Sequence, residues 1–226
     1  MAGPEVVTAK IVLNGRIIGF RQFKKNYFCP VSFNLQTFQM KKLLGLIVIF
    51  QLVFLSLVAQ NGYPAIDKSP MDMAYFPVGY PVLKIQDKAT DPLVARVIYS
   101  RPSRGGRAIF NGLVKNGEVW RLGANEATEI QFFQTVHIDG KKIRSGRYTL
   151  YAIVKDNAWT IIFNKENDTW GSFKYDTKKD VLRTDVNTQK TDALVENLSM
   201  VFEKTATGCN LNIAWENTKV SLPITF

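Results

Sequence analysis

The chain has 2 cysteines and 1 histidine among 226 residues, and this scarcity closes off several chemistries. Cys29 and Cys209 lie on either side of a hydrophobic segment, so a protein cut after that segment keeps only Cys209 and forms no internal disulfide. A thiol in that position is expected to behave as a small buried hydrophobe rather than as a nucleophile. His137 alone cannot supply a Cys/His zinc set, and no G-x-S-x-G elbow accompanies it to suggest a Ser-His-Asp triad. The polar run "NKENDTWG", Asn164 to Gly171, lacks the spaced acids of an EF-hand and is expected to be a loop. No cofactor and no metal ion is therefore expected. Long amphipathic helical periodicity and internal repeats are also missing, which argues against bundles and solenoids.

A basic stripe is lacking too, although the formal net charge is +10. Residues 1 to 42 hold seven Lys/Arg against the single acid Glu5, a balance of +6. From Gln60 onward the 22 basic and 18 acidic side chains leave +4, an ordinary solubility charge. With no run of Lys or Arg in the body to displace counterions from a phosphate backbone, nucleic acid is not an expected partner.

What is present begins with "MKKLLGLIVIFQLVFLSLVAQNG". Met40 and two lysines precede an apolar stretch from Leu43 to Val58, and small Ala59 then precedes a polar segment. That order is the pattern of a secretory signal over 40–59, cut after Ala59. Residues 1–39 are then an over-long gene-model extension without structure of their own. The alternative is an uncleaved membrane anchor over 43–59, since the stretch approaches the roughly 17 residues needed to span a bilayer. Either way the protein is expected to be exported, to the periplasm or the medium.

Residues 60–92 carry Pro64, Pro70, Pro77 and Pro81, spacing that suggests an extended lead-in rather than a helix or an inner strand. From residue 93 to 226 the hydrophobic period becomes two. Leu93, Ala95, Val97 and Tyr99 share one face, as do Ile130, Phe132, Val136 and Ile138, with Glu129, Gln131, Thr135 and His137 opposite. Turn signals fall at short intervals: Asp139-Gly140, Ser145-Gly146, Asp156-Asn157 and Thr207-Gly208. The best candidate for a helical turn is "AIFNGLV", Ala108 to Val114. About nine strands at hairpin spacing predict an all-β domain, an antiparallel β-sandwich or barrel-like fold.

Three blocks cluster before the middle of the domain: Tyr99 to Pro102, Gly106 to Phe110, and Trp120 to Thr128, "WRLGANEAT". With "GRYTLYAI", "WTIIFN" and "WGSFKYD" further on, they resemble the bacterial domain-of-unknown-function family numbered 2911 across nearly all of the exported chain. The resemblance implies an exported or envelope-associated protein and no particular activity.

A strict strand through Trp120 to Thr128 would bury Glu126 beside a tryptophan, so a break is expected between Gly123 and Ala127, with Asn125 capping the turn. Glu126 is then expected to meet one of the arginines at 101, 104, 107, 121 or 147, locking two loops together. A functional version uses the same groups differently. Arg101, Arg107 and Arg121, with the Gly105-Gly106 amides, would cradle an anionic or polyhydroxylated ligand while Asn125 and Glu126 accept from it. Trp170, in a loop beside Gly171, is the aromatic that could stack on a sugar ring, whereas Trp159 and Trp215 alternate within apolar strands and belong to the core. A third reading makes Glu126 with Glu129 or Asp168 the acid/base pair of a glycan hydrolase. The expected partner is a small molecule, a glycan or an envelope protein, with membrane contact only through an uncleaved 43–59 segment.

Overall fold

The structure, a computed structural model, describes residues 63–226, the segments 8–13 and 16–21, and the positions Lys42 and Gly45. The chain divides into two units, residues 1–64 and 65–226. In the first, strands β1 (Thr8–Leu13) and β2 (Arg16–Arg21) pair antiparallel, Thr8 opposite Arg21 and Leu13 opposite Arg16. The expectation of an extension without structure fails for these segments. Asn14-Gly15, the dipeptide between two β-branched runs, is a strong two-residue hairpin signal. Of the proposed leader, Lys42 and Gly45 are helical and the rest lies outside the described residues. No helix among the described residues is long and apolar enough to cross a membrane.

The second unit is antiparallel sheet. Its strands are β3 (Met71–Phe76), β4 (Ala95–Ser100), β5 (Val119–Trp120), β6 (Glu129–Phe132), β7 (Val136–Ile138), β8 (Lys141–Ile143), β9 (Gly146–Val154), β10 (Ala158–Asn164), β11 (Asp180–Thr205) and β12 (Gly208–Thr225). They run in the order β3-β4-β6-β9-β10-β11-β12-β7-β8, with β5 paired to β9. The long strand β11 gives this unit two layers. Its first part pairs with β10 through Asn187 and its remainder with β12 from Thr188 onward, so one strand serves both layers.

Period-two alternation does what the sequence pattern requires. Ala95, Val97 and Tyr99 from one layer meet Leu198, Met200 and Phe202, and Leu211, Ile213 and Trp215, from the other, all in one buried core. Trp159 and Trp215 are fully buried; burying such a side chain is worth about 1.5–3 kcal/mol. Asp139 and Gly140 both take positive φ, 51° and 69°, as a tight β7–β8 hairpin demands. The layers are also stitched by Tyr99, whose hydroxyl lies 3.0 Å from the Met200 amide and 3.3 Å from its carbonyl.

Two expectations for 60–92 and one for 108–114 are corrected. β3 occupies Met71–Phe76 within the supposed lead-in, because Pro70 and Pro77 flank it and it is an edge strand that needs only one ladder. A short helix, α1 (Tyr80–Ile85), follows with Pro81 in its first turn, where a missing N–H costs nothing. Ala108 to Val114 is a compact turn closed by Leu113 N–H to Ala108 O and Val114 N–H to Ile109 O, without a regular helix.

Candidate functional site

The segment Trp120 to Thr128 does break, and the break is built from close approach as much as from dihedral freedom. Trp120 turns inward, edge-on to Trp159 at 5.8 Å and stacked with Trp215 at 6.0 Å between ring centres. Its indole N–H donates to Gly123 O at 3.2 Å. Positive φ falls on Leu122 (55°) and Asn125 (58°), while Gly123 is needed for space: a Cβ there would lie 2.7 Å from Ser100 Oγ. The Ser100 hydroxyl donates to Ala124 O and accepts from Ala124 N–H, both at 2.6 Å. Thr128 closes the bend from the far side, its hydroxyl on Leu122 O and its amide on Arg121 O.

This bend then zips to the loop before β11. Ala127 N–H donates to Thr169 O and Gly171 N–H to Asn125 O, both at 2.9 Å, which sets Glu126 opposite Trp170 in an antiparallel bridge. Both segments sit on the outer face of β9 and β10, where Ala127, Tyr151 and Ile162 form a small second core covered in part by Tyr175. Tyr151 and Tyr175 meet edge-to-face at 5.0 Å, and the Tyr151 hydroxyl bonds the Thr169 hydroxyl at 3.1 Å.

The expected Glu126–Arg lock is not formed. Glu126 is exposed and makes no ion pair among the described residues. The arginines have other partners. Arg101 bonds Asp72 at 3.0 Å, Leu198 O at 3.2 Å and Ser199 Oγ at 3.0 Å. Arg104 pairs with Glu216 at 3.2 Å, and Arg107 binds the backbone oxygens of Arg104 and Ser103. Arg147 joins Glu129 at 3.1 Å to Asp168. Arg121 makes no ion pair among the described residues; its Nε is buried without a partner, and burial lowers the guanidinium pKa.

The Arg101–Arg121 cradle is also not assembled as expected. The Gly105 amide that would have faced a ligand donates to Glu196 Oε1 at 2.7 Å, and the Ser103 hydroxyl to the same oxygen at 2.6 Å. Those two bonds hold the Glu196 carboxyl below the usual carboxylate range. The loop is thus filled by the chain's own carboxylate.

What does converge is Glu126, Glu129, Asp168 and Thr169 around a cleft of about 180 Å³ floored by Met71 and Ile98. Glu129 also accepts the Asp168 amide at 2.7 Å, so Arg147, Glu129 and Asp168 form one closed network beside the unpaired Glu126. Trp170, next along the chain from Thr169, is 62% exposed, and Phe173 beyond it is 83% exposed. Gly171 between them has φ 68°, and a Cβ there would come within 2.7 Å of the Phe173 ring. Among the described residues no three His, Cys, Asp or Glu side chains form a metal-binding group. The sequence pattern missed Arg147 as the organiser and Phe173 as a second exposed ring. A "WGSF" loop with Gly between two aromatics was the available signal.

These features define an antiparallel β-sandwich that carries, on the outside of one layer, a cleft lined by Glu126, Glu129 and Asp168 next to a loop with the exposed Trp170. The model of the family described as "Protein of unknown function (DUF2911)" matches residues 83–224, and the chain belongs to that family. No curated protein and no solved structure matches it.

Proposed function

We propose that this domain is an exported carbohydrate-binding module that takes a glycan at the Glu126–Trp170 face. The observation that carries the reading is the exposed indole of Trp170, bridged through its backbone to Glu126 and adjoining a cleft with three carboxylates. A sugar has an apolar C–H face and a rim of hydroxyl donors. An exposed indole covers the first at low entropic cost, and fixed carboxylates accept from the second. The antiparallel bridge between the two segments fixes where the indole and Glu126 leave the backbone, which is the preorganisation a shallow site requires.

Binding fits this cleft better than hydrolysis. A glycosidase needs two carboxyl groups in different protonation states on either side of the scissile bond. Here Arg147 engages both Glu129 and Asp168 in ion pairs and leaves Glu126 as the one carboxylate of the cleft outside an ion pair, so no two free carboxyl groups flank the cleft. Export is supported by the charged start, apolar middle and small cut-site residue of segment 40–59.

The test is titration of the purified protein with soluble cello-, chito- and xylo-oligosaccharides, followed by tryptophan fluorescence and calorimetry. A saturable response that Trp170→Ala weakens at least tenfold supports the reading. Binding that Trp170→Ala leaves untouched, or the release of reducing ends from any of these glycans, overturns it. Export is checked separately by sequencing the N-terminus of protein recovered from the periplasmic and medium fractions.

A further inference from the structure

A second cavity lies at the other end of the sandwich from the glycan cleft. β3 runs from Met71, which floors that cleft, to Phe76, which lines the cavity, a separation of about 17 Å at ~3.4 Å per residue. The cavity measures about 440 Å³. Its apolar wall is Phe76, Pro77, Val78, Pro92, Val94 and Phe226. Phe76 and Phe226 stand 5.7 Å apart between ring centres with planes tilted by 58°, and Phe76 is backed by Phe202 at 6.1 Å. Two wall residues keep much of their surface in water, Val78 at 60% and Phe226 at 47%.

The polar part of the lining has a direction. Lys204, Thr205 and Thr207 all come from the hairpin that joins β11 to β12 and all line the cavity. They put one ammonium-bearing and two hydroxyl-bearing residues on one stretch of the lining, which elsewhere holds Gln134 and Asp91. Lys204 makes no salt bridge among the described residues, and neither does Asp91, the one carboxylate of the lining. A cavity in the size range of small-molecule sites, mostly apolar and with a few donors gathered at one side, suits a molecule with an apolar body and an anionic head.

We infer that this cavity is a second binding site, specific for a monocarboxylate with an aliphatic or aromatic body. The carboxylate pairs with Lys204 and the Thr205 and Thr207 hydroxyls, while the body lies against Phe76, Val94 and Phe226. At a water's share of roughly 30 Å³ per heavy atom the space suits about fifteen heavy atoms, the size of dodecanoate. The site is independent of the glycan cleft.

Calorimetric titration of the purified protein with dodecanoate, dodecanol and dodecylamine tests this. Saturable one-to-one binding of dodecanoate is expected, at least tenfold tighter than either of the other two. Lys204→Gln should weaken dodecanoate at least tenfold, and Ala206→Trp, at an exposed hairpin position lining the cavity, should abolish binding while circular dichroism stays unchanged. Val78→Asp should do the same from the opposite kind of lining. Trp170→Ala should have no effect, which separates failure here from failure at the glycan cleft. No saturable binding, equal affinity for dodecanol, tighter binding of dodecylamine, or indifference to both Ala206→Trp and Val78→Asp would each overturn the inference.

Discussion

Ser100 holds Ala124 by both of its peptide groups, donating to the carbonyl and accepting from the amide at 2.6 Å each. One hydroxyl thereby fixes the bend to the end of β4, and it can come so close only because residue 123 has no side chain. Ser100→Ala leaves both Ala124 groups without this partner and should cost about 1–3 kcal/mol. Gly123→Ala should cost a similar amount, since its Cβ would meet Ser100 Oγ at 2.7 Å. Because both losses pass through the same contact, the double variant Ser100→Ala, Gly123→Ala should be less damaging than the sum of the singles. Urea denaturation of the four proteins measures the coupling, and strict additivity would show that the two residues act separately.

The charge cluster makes a second contrast. Glu126 is exposed and outside any ion pair among the described residues, so Glu126→Gln should shift stability by no more than about 0.5 kcal/mol. Arg101 ties β4 to Asp72 and to the backbone of β11. Arg101→Ala should therefore cost about 1–2 kcal/mol, chiefly through the Leu198 carbonyl, since the exposed ion pair itself is worth little. Thermal melts of the two variants side by side decide it; a larger drop for Glu126→Gln would restore the charged lock expected from sequence.

That lock illustrates what sequence patterning can and cannot supply. β4, β6 and β9 were legible because alternation is local: Val97 and Tyr99, or Ile130 and Phe132, declare their face within a few residues. Asp139-Gly140 and the buried Trp159 and Trp215 were legible for the same reason. Partner choice among charges is not local. Arg101 takes Asp72, 29 residues away, and Arg104 takes Glu216, 112 residues away, so nothing near Glu126 announces that both arginines are committed elsewhere. β3 was hidden by its flanking prolines, which bar an inner strand and permit an edge one. Trp170 stands out in the sequence only as an aromatic beside Gly171, because the bridge that sets it opposite Glu126 forms only when the loop folds back across β9.

Alkaline pH should weaken the fold in a defined window. Burial pushes the Cys209 thiol from 9.0 up to about 12, and burial together with the hydrogen bond to Asp180 pushes the Tyr175 hydroxyl from 10.0 up to about 12. Both groups hold their proton to higher pH when folded than when unfolded. Their contribution is complete below the unfolded values and is lost as pH rises through the window toward about 12. Stability should start to fall near pH 9, and from about pH 10 Cys209 alone removes about 1.4 kcal/mol per pH unit. Urea midpoints measured from pH 7 to 11 should decline later and less steeply in Cys209→Ala than in the parent. An identical decline in both would show that the thiol is not buried as described.

Gly171 separates dihedral strain from crowding at the proposed glycan face. Its φ of 68° disfavours any side chain, and a Cβ would also press on the Phe173 ring at 2.7 Å. Phe173 is 83% exposed, so its ring can swing aside and the crowding is cheap to relieve. The dihedral is not, because Gly171 N–H is tied to Asn125 O and the bridge between Glu126 and Trp170 depends on that bond. Gly171→Ala should therefore cost about 1 kcal/mol. Gly171→Asn should cost less than Gly171→Ala although it is larger, since Asn tolerates the left-handed region. Removing the ring with Phe173→Ala should leave the Gly171→Ala penalty unchanged. If Asn proves worse than Ala, or if Phe173→Ala erases the penalty, the constraint on the loop is steric, and Trp170 is placed by the ring of Phe173 rather than by the backbone.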